Sequence, residues 1–313
     1  MKGELRIDVA EECWSLRLPQ PWLPYAQALF RHLHPAGDTT PKVSIELAAT
    51  PETEAACSAA AGMRGHKTTS ATLEWRLEDR IMHCSPMSYE AYSWHKCQGE
   101  LALLQSGLES SLLGSNLLLR HIAWRALQRE MVPLHAAAIG ASGSYWLLPA
   151  GSGRGKSVTT ALALATGLEV LGDDFILWHP ATDTLFSLYC SVRLRPDGLD
   201  LLNRHFPNFA WRRLGLRDDG KAVLQPAAKH DGFRACGKLR GILLLPGDAH
   251  EVLTPARALK AFSSTTLLLR TLGFPPARAF SPLVDLVKRT ALAHLAPRRQ
   301  PESLATELAE LCR

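Results

Sequence analysis

Three features of the 313-residue chain predict an α/β protein with a β-rich amino-terminal segment. Residues 1 to about 90 contain stretches that alternate apolar with polar side chains, the period of half-buried strands. From Pro133 onward, short apolar runs alternate with helical ones around a glycine-rich loop, the rhythm of strand–helix–strand units. The last residues, "PESLATELAELCR", have amphipathic helical spacing, with acids near the start where a helix dipole favours them. The expected division is a β-rich segment at 1–90, connecting helices at 91–132, and an α/β core with carboxyl-terminal helices at 133–313.

The first strands are "ELRIDV", "KVSIELAA" and "TLEWRLEDRIMHC", with "TPETEAACSAAAGMRGHKTTS" as a loop or short helix between the second and third. A helical segment over roughly 91 to 131 is expected next, broken into two helices by Gly107 and Gly114. Its later part, "NLLLRHIAWRALQRE", keeps its leucines, Ile122, Trp124 and Leu127 near one face. "LHAAAI" and "SYWLLP" read as strands joined by the turn "GASG". The loop "AGSGRGKS" opens the helix "SVTTALALA", which Gly167 ends. "LEVLG" is the next strand, running through two acids into "FILW". A turn at "HPATDT" and a strand "LFSLYCSVRLR" follow, then a buried strand "LRGILLLP". "ARALKAFSSTTLLLRTL" and "SPLVDLVKRTALAHLA" read as helices.

Composition narrows the function classes. Hydrophobic residues make up 46% and charged residues 21%, as in an ordinary globular protein. Runs such as "GILLLPG" are far shorter than a membrane span, so no membrane partner is expected. The start, "MKGELRIDVAEECW", has no apolar signal core, and the seven cysteines form no C-x-x-C pair. A cytoplasmic location with reduced thiols is therefore expected. The net charge of +5 gathers at 211–217, 229–240 and 297–299. These clusters read as a solvated basic surface; no nucleic-acid module accompanies them, so a nucleic-acid partner is disfavoured.

The glycine-rich loop carries the chemistry. A phosphate loop has Gly, four residues, then Gly-Lys-Ser or Gly-Lys-Thr. Here Ala150 holds the first place, and Gly155, Lys156 and Ser157 the last three. Gly151, Ser152, Gly153, Arg154 and Gly155 would wrap phosphate oxygens with backbone N–H groups at a helix start. Lys156 would reach the β- and γ-phosphates, and Ser157 would ligate Mg²⁺, so ATP and Mg²⁺ are the expected cofactors. Ala150 is tolerable if its φ stays negative.

Asp173 and Asp174 follow Lys156 by only 17 and 18 residues, on the next strand. Phosphoryl transfer needs a metal ligand and a group that takes the attacking hydroxyl's proton, and two adjacent carboxylates can divide these tasks. Side chains of neighbouring strand residues face opposite ways, so using both requires a kink, expected at Gly172.

The histidine in "LHAAAI", the loop "AGSGRGKS" and the pair in "LGDDFILW" together resemble the HPr serine kinase/phosphorylases and their stand-alone relatives, clearly over about 133 to 180 and more loosely to about 245. The resemblance implies a P-loop kinase core of the HPr kinase and PEP carboxykinase type. It implies a catalytic His135, a phosphate-binding Lys156 and a metal-binding Ser157. It also implies Asp173 as general base toward a substrate serine and Asp174 beside the metal and Lys156. Where the family has Glu-x-Arg-Gly, this chain has Ser191 at the glutamate place, retains Arg193, and has Leu194 for the glycine. Arg193 or Arg195 is then a candidate to stabilise transferring phosphate. The family's later loop, used for phosphate-driven dephosphorylation, has only "GFPPAR" as a suggestive counterpart, which argues against the reverse activity. Such departures resemble the stand-alone kinases found with ribosomally made peptides, including lasso peptides. These phosphorylate a precursor serine, so a peptide or small protein is the expected substrate. HPr enzymes are hexamers; with an unlike amino-terminal third, homo-oligomerisation here stays an open expectation.

Three other readings compete. One is a kinase of small metabolites, another a nucleotide-binding regulator without turnover, and the third a nucleic-acid binder. A zinc site from His83, Cys84, His95 and Cys97 has unsuitable spacing, and no G-x-S-x-G elbow supports a hydrolase.

Overall fold

Alternation in the first residues becomes a strand. β1 (Lys2–Val9) buries Leu5, Ile7 and Val9, and pairs antiparallel with β2 (Glu12–Pro19). Ala10 and Glu11, both at positive φ, form a two-residue turn that matches strand twist. The structure is a computed structural model. It describes residues 2–33, 39–50, 66–69, 72–76, 80–84, 88–104, 117–151, 153–217, 219–245, 253–272, 276–295 and 300–312. The chain is a mixed α/β protein that divides into two units, Met1–Arg129 and Glu130–Arg313. Among the described residues no helix is long and apolar enough to cross a membrane.

In the first unit, α1 (Leu23–Leu29) precedes β3 (Val43–Thr50), β4 (His66–Thr69), β5 (Thr72–Arg76), β6 (Arg80–Cys84), β7 (Ser88–Ser93) and β8 (Gln98–Leu104); α2 (Leu119–Gln128) closes it. The sheet order is β1-β2-β3-β8-β7-β6-β5-β4. The helical segment expected over 91–131 is corrected: its first third is strand, and α2 is shorter than expected. β8 lies parallel to β3 and antiparallel to β7, so "LALL" is a central-strand run, which periodicity does not separate from a helix turn. α2 does bury Ile122 and Trp124 as expected. Residues 51–65, Gly107 and Gly114 lie outside the described residues.

The second unit opens with β9 (Val132–Leu134), β10 (Ala136–Ala141) and β11 (Ser144–Pro149), then α3 (Lys156–Ala165), β12 (Glu169–Gly172), β13 (Ile176–His179), β14 (Thr184–Ser187) and β15 (Val192–Leu194). α4 (Pro196–His205), β16 (Trp211–Leu216), β17 (Ala222–Pro226) and β18 (Cys236–Leu244) come next. α5 (Pro255–Ala261), α6 (Ser263–Thr271), α7 (Pro276–Arg289), β19 (Ala291–His294) and α8 (Pro301–Cys312) complete it. The large sheet runs β12-β10-β11-β18-β14-β13-β9, with β19 also on β18; β15-β17-β16 form a small sheet. Leu162 and Leu164 of α3 pack with Ile139, Leu148 and Val170, each burial contributing about 1.5–3 kcal/mol.

β9 lies at one end of that order and β10 beside the other end, yet only His135 separates them. One residue spans little more than one inter-strand spacing, so the sheet must curl until its ends approach. The chain crosses the same seam a second time, from β12 to β13, through Asp173, Asp174 and Phe175.

Several elements differ from expectation. "LHAAAI" is two strands divided at His135. "LFSLYCSVRLR" splits into β14 in the large sheet and β15 in the small one. "ALAH", expected as helix, is β19, because it pairs in parallel with Gly241–Leu244, the part of β18 beyond β14. The "ARALKAF…" helix breaks in two at Phe262. In "GFPPAR", residues 273–275 lie outside the described residues and Pro276 begins α7.

Candidate functional site

The loop leaves β11 and enters α3. Ala150 is buried and keeps a negative φ, whereas Gly153 and Gly155 sit at φ 79° and 89°, where a side chain would be strained. Gly155 is the helix N-cap and brings no side chain to cap the first turn, which holds no acid; among the described residues no side chain accepts from its N–H groups, which leaves them to an anion. Gly151 is half-buried and Arg154 exposed. Ser152 lies outside the described residues. At the far end Gly167, at φ 82°, ends α3, and Leu168 N–H donates to Ala163 C=O.

The acids sit in a bend rather than a strand. A Cβ on Gly172 would stand 3.1 Å from Phe175 O, so the bend leaves little space for a side chain there. With the chain bent, both carboxylates reach the start of α3. Asp173 is 2% exposed. It accepts from Arg193 N–H at 3.0 Å, the Ser157 hydroxyl beside it favours its charged form, and its Oδ1 is buried with no hydrogen-bond partner among the described residues. Burial first, then the neighbouring Asp174, push its pKa up to about 6, against the pull of Lys156.

Asp174 is in the opposite state. Lys156 Nζ lies 2.6 Å from its Oδ1, Arg193 Nη1 3.1 Å from its Oδ2, and His135 Nε2 3.7 Å from Oδ1. Burial works to raise its pKa, but the Lys156 and Arg193 charges outweigh it and hold the carboxyl well below the usual range. His135 is pushed down to about 4, by burial first and then by Lys156, with Arg193 and Lys221 adding to the effect against Asp174. Its ring is thus neutral near pH 7, and it packs on Phe175 at 5.3 Å.

The small sheet brings Arg193 to the acids, while Arg195 is exposed beyond the end of β15. Asp173, Asp174, Phe175, Tyr189, Ser191 and Arg193 line a recess of about 10 Å³, room for about one water. His135, Lys156, Ser157, Asp173, Asp174 and Arg193, named from sequence, therefore meet at one end of α3. Thr265 and Lys221 were not foreseen. Lys221 follows from the register alone, because Arg193 pairs with Val223, two residues further on; no local signal points to Thr265.

As Mg²⁺ donors, the Ser157 hydroxyl and the bare Asp173 oxygen fit a hard cation, whereas both Asp174 oxygens are already held by cations. Among the described residues no three His, Cys, Asp or Glu side chains cluster for a metal, so phosphate and water would supply the other ligands.

The architecture defines a mixed α/β protein whose glycine loop delivers a lysine to an acid pair at the seam of a curled sheet. No protein-family model matches the chain, and no curated protein matches it either.

Proposed function

We propose that the chain is an ATP- and Mg²⁺-dependent phosphotransferase with a P-loop kinase core of the HPr kinase type, and that its acceptor is a hydroxyl. A serine of a peptide or small protein is the favoured acceptor, on the resemblance carried by His135, the loop and Asp173–Asp174. One observation carries the reading: at the start of α3, Lys156 pairs with Asp174 at 2.6 Å while the next residue, Ser157, lies beside Asp173 and favours its charged form.

The loop N–H groups and Lys156 bind the β- and γ-phosphates, and Arg193 faces the transferring group. Ser157 and Asp173 would hold Mg²⁺, which would offset phosphate charge. Geometry favours reversing the roles expected for the two acids. Asp173, buried beside Ser157, suits the metal side; Asp174, with 23% of its side chain exposed beside His135, suits the acceptor. Moving Lys156 from Asp174 to phosphate removes the strongest charge holding that carboxyl acidic, and so makes it a better base.

The test is transfer of labelled γ-phosphate from ATP to serine peptides by the full-length protein. Lys156→Met is expected to abolish transfer. Asp174→Asn is expected to lower kcat by about 10²–10⁴-fold with little change in KM for ATP. Asp173→Asn is expected mainly to raise the Mg²⁺ concentration needed. ATP binding without transfer to any peptide or metabolite would instead favour a nucleotide-binding regulator. That second reading is supported by Ser191, which is buried at the place of the family's metal-binding glutamate.

A further inference from the structure

His135 is the one residue between β9 and β10, and its backbone belongs to neither ladder. β9 pairing ends at Leu134↔Ile176 and β10 pairing begins at Ala136↔Pro149. A backbone N–H and C=O at such a seam need partners from elsewhere. A single hydroxyl supplies both: Thr265 Oγ1 accepts from His135 N–H at 2.9 Å and donates toward His135 C=O at 3.5 Å.

Thr265 is 0% exposed and sits in the first turn of α6, 130 residues along the chain. Its hydroxyl does something unusual for a helical threonine. Thr160, Thr166, Thr266 and Thr306 all donate to the carbonyl four residues earlier on their own helices. Thr265 instead reaches out of its helix to the seam. The preceding residue, Ser264, is the nearest neighbour of Gly151 in the loop, 3.9 Å from where a Cβ would stand. One turn of α6 thus lies beside the glycine loop and hydrogen-bonds to His135.

We propose that Thr265 is a positioning residue that clamps the backbone of His135 at the sheet seam and so holds the imidazole against Asp174. The role in transfer rests on the kinase reading above; the clamp itself does not. A neutral ring 3.7 Å from Asp174 is effective only if it is held there, and no ladder hydrogen bond holds it.

The test uses the full-length protein with ¹⁵N-labelled histidine. Thr265→Val keeps the shape and removes the hydroxyl, and Thr265→Ser keeps the hydroxyl. Thr265→Val is expected to shift the His135 ring resonances and their titration midpoint. It is also expected to lower kcat by about tenfold with KM for ATP nearly unchanged. Thr265→Ser is expected to restore both. Should the valine variant not fold, Thr265→Cys, with its weaker donor, carries the same comparison and is expected to fall between the two. The proposal is overturned if Thr265→Val, or Thr265→Cys in its place, melts earlier while leaving the ring resonances as in the parent. It is equally overturned if Thr265→Ser behaves like Thr265→Val. The resonances are read without ATP or acceptor, so they test the clamp even in a chain that transfers no phosphate.

Discussion

Asp173 and Asp174 are neighbours in sequence and opposites in charge energetics. The folded pKa of Asp173, about 6, lies above its ordinary 3.8, so the folded form binds this proton more tightly. The stability it contributes is full below the ordinary value and is lost as pH rises through about 6. Asp174 runs the other way: its contribution is present above the ordinary value and lost as pH falls. Asp173→Asn should therefore stabilise the ligand-free protein by about 1–2 kcal/mol at pH 8, with the gain vanishing near pH 4. Thermal melts across that range check it, and equal melting temperatures for parent and variant at pH 8 would contradict it. The residues of this pair were legible because they are adjacent and close to Lys156 in sequence. Their separate roles were not, because the N–H that Asp173 accepts and the guanidinium that joins Lys156 on Asp174 both belong to Arg193, on a different sheet.

At the scale of elements, the glycine loop and α3 were legible because every cue is local: an apolar strand, glycines, Gly-Lys-Ser, and Gly167 at the end. Gly155 and Gly151 separate two uses of glycine. Gly155 needs φ 89°, so Gly155→Ala should cost about 1–2 kcal/mol and weaken ATP binding measurably by calorimetry. Gly151 has no such φ and its nearest neighbour is 3.9 Å from a Cβ, so Gly151→Ala should melt like the parent. Comparable losses in both variants would refute this account of the loop. β8 and β19 were misread as helix for one reason. Short apolar runs such as "LALL" and "ALAH" fit either period, and only a waiting partner strand, β3 or β18, decides.

Over the whole molecule, the curled sheet is what makes the site. Its ends meet where the chain crosses twice, once through His135 and once through Asp173–Phe175, and α3 points its first turn at that seam. All these residues, with Arg193 and Thr265, belong to Glu130–Arg313. Residues 130–313 expressed alone are therefore expected to fold and to bind ATP with Mg²⁺ within about threefold of the full chain. Loss of binding in a folded fragment would show that Met1–Arg129 contributes to the nucleotide site.

By itself the sequence determined the mixed α/β class, the loop and its helix, and the closeness of Lys156 to Asp173 and Asp174 along the chain. Each of these is written in residues close together, where hydrophobic period and backbone preference act directly. Tertiary structure alone decided that His135 stands at a break between strands, that Asp173 is buried while Asp174 is paired, and that a threonine 130 residues away holds the histidine backbone. These depend on how far the sheet curls, a property of strand pairing and twist summed over the whole unit that no short stretch encodes.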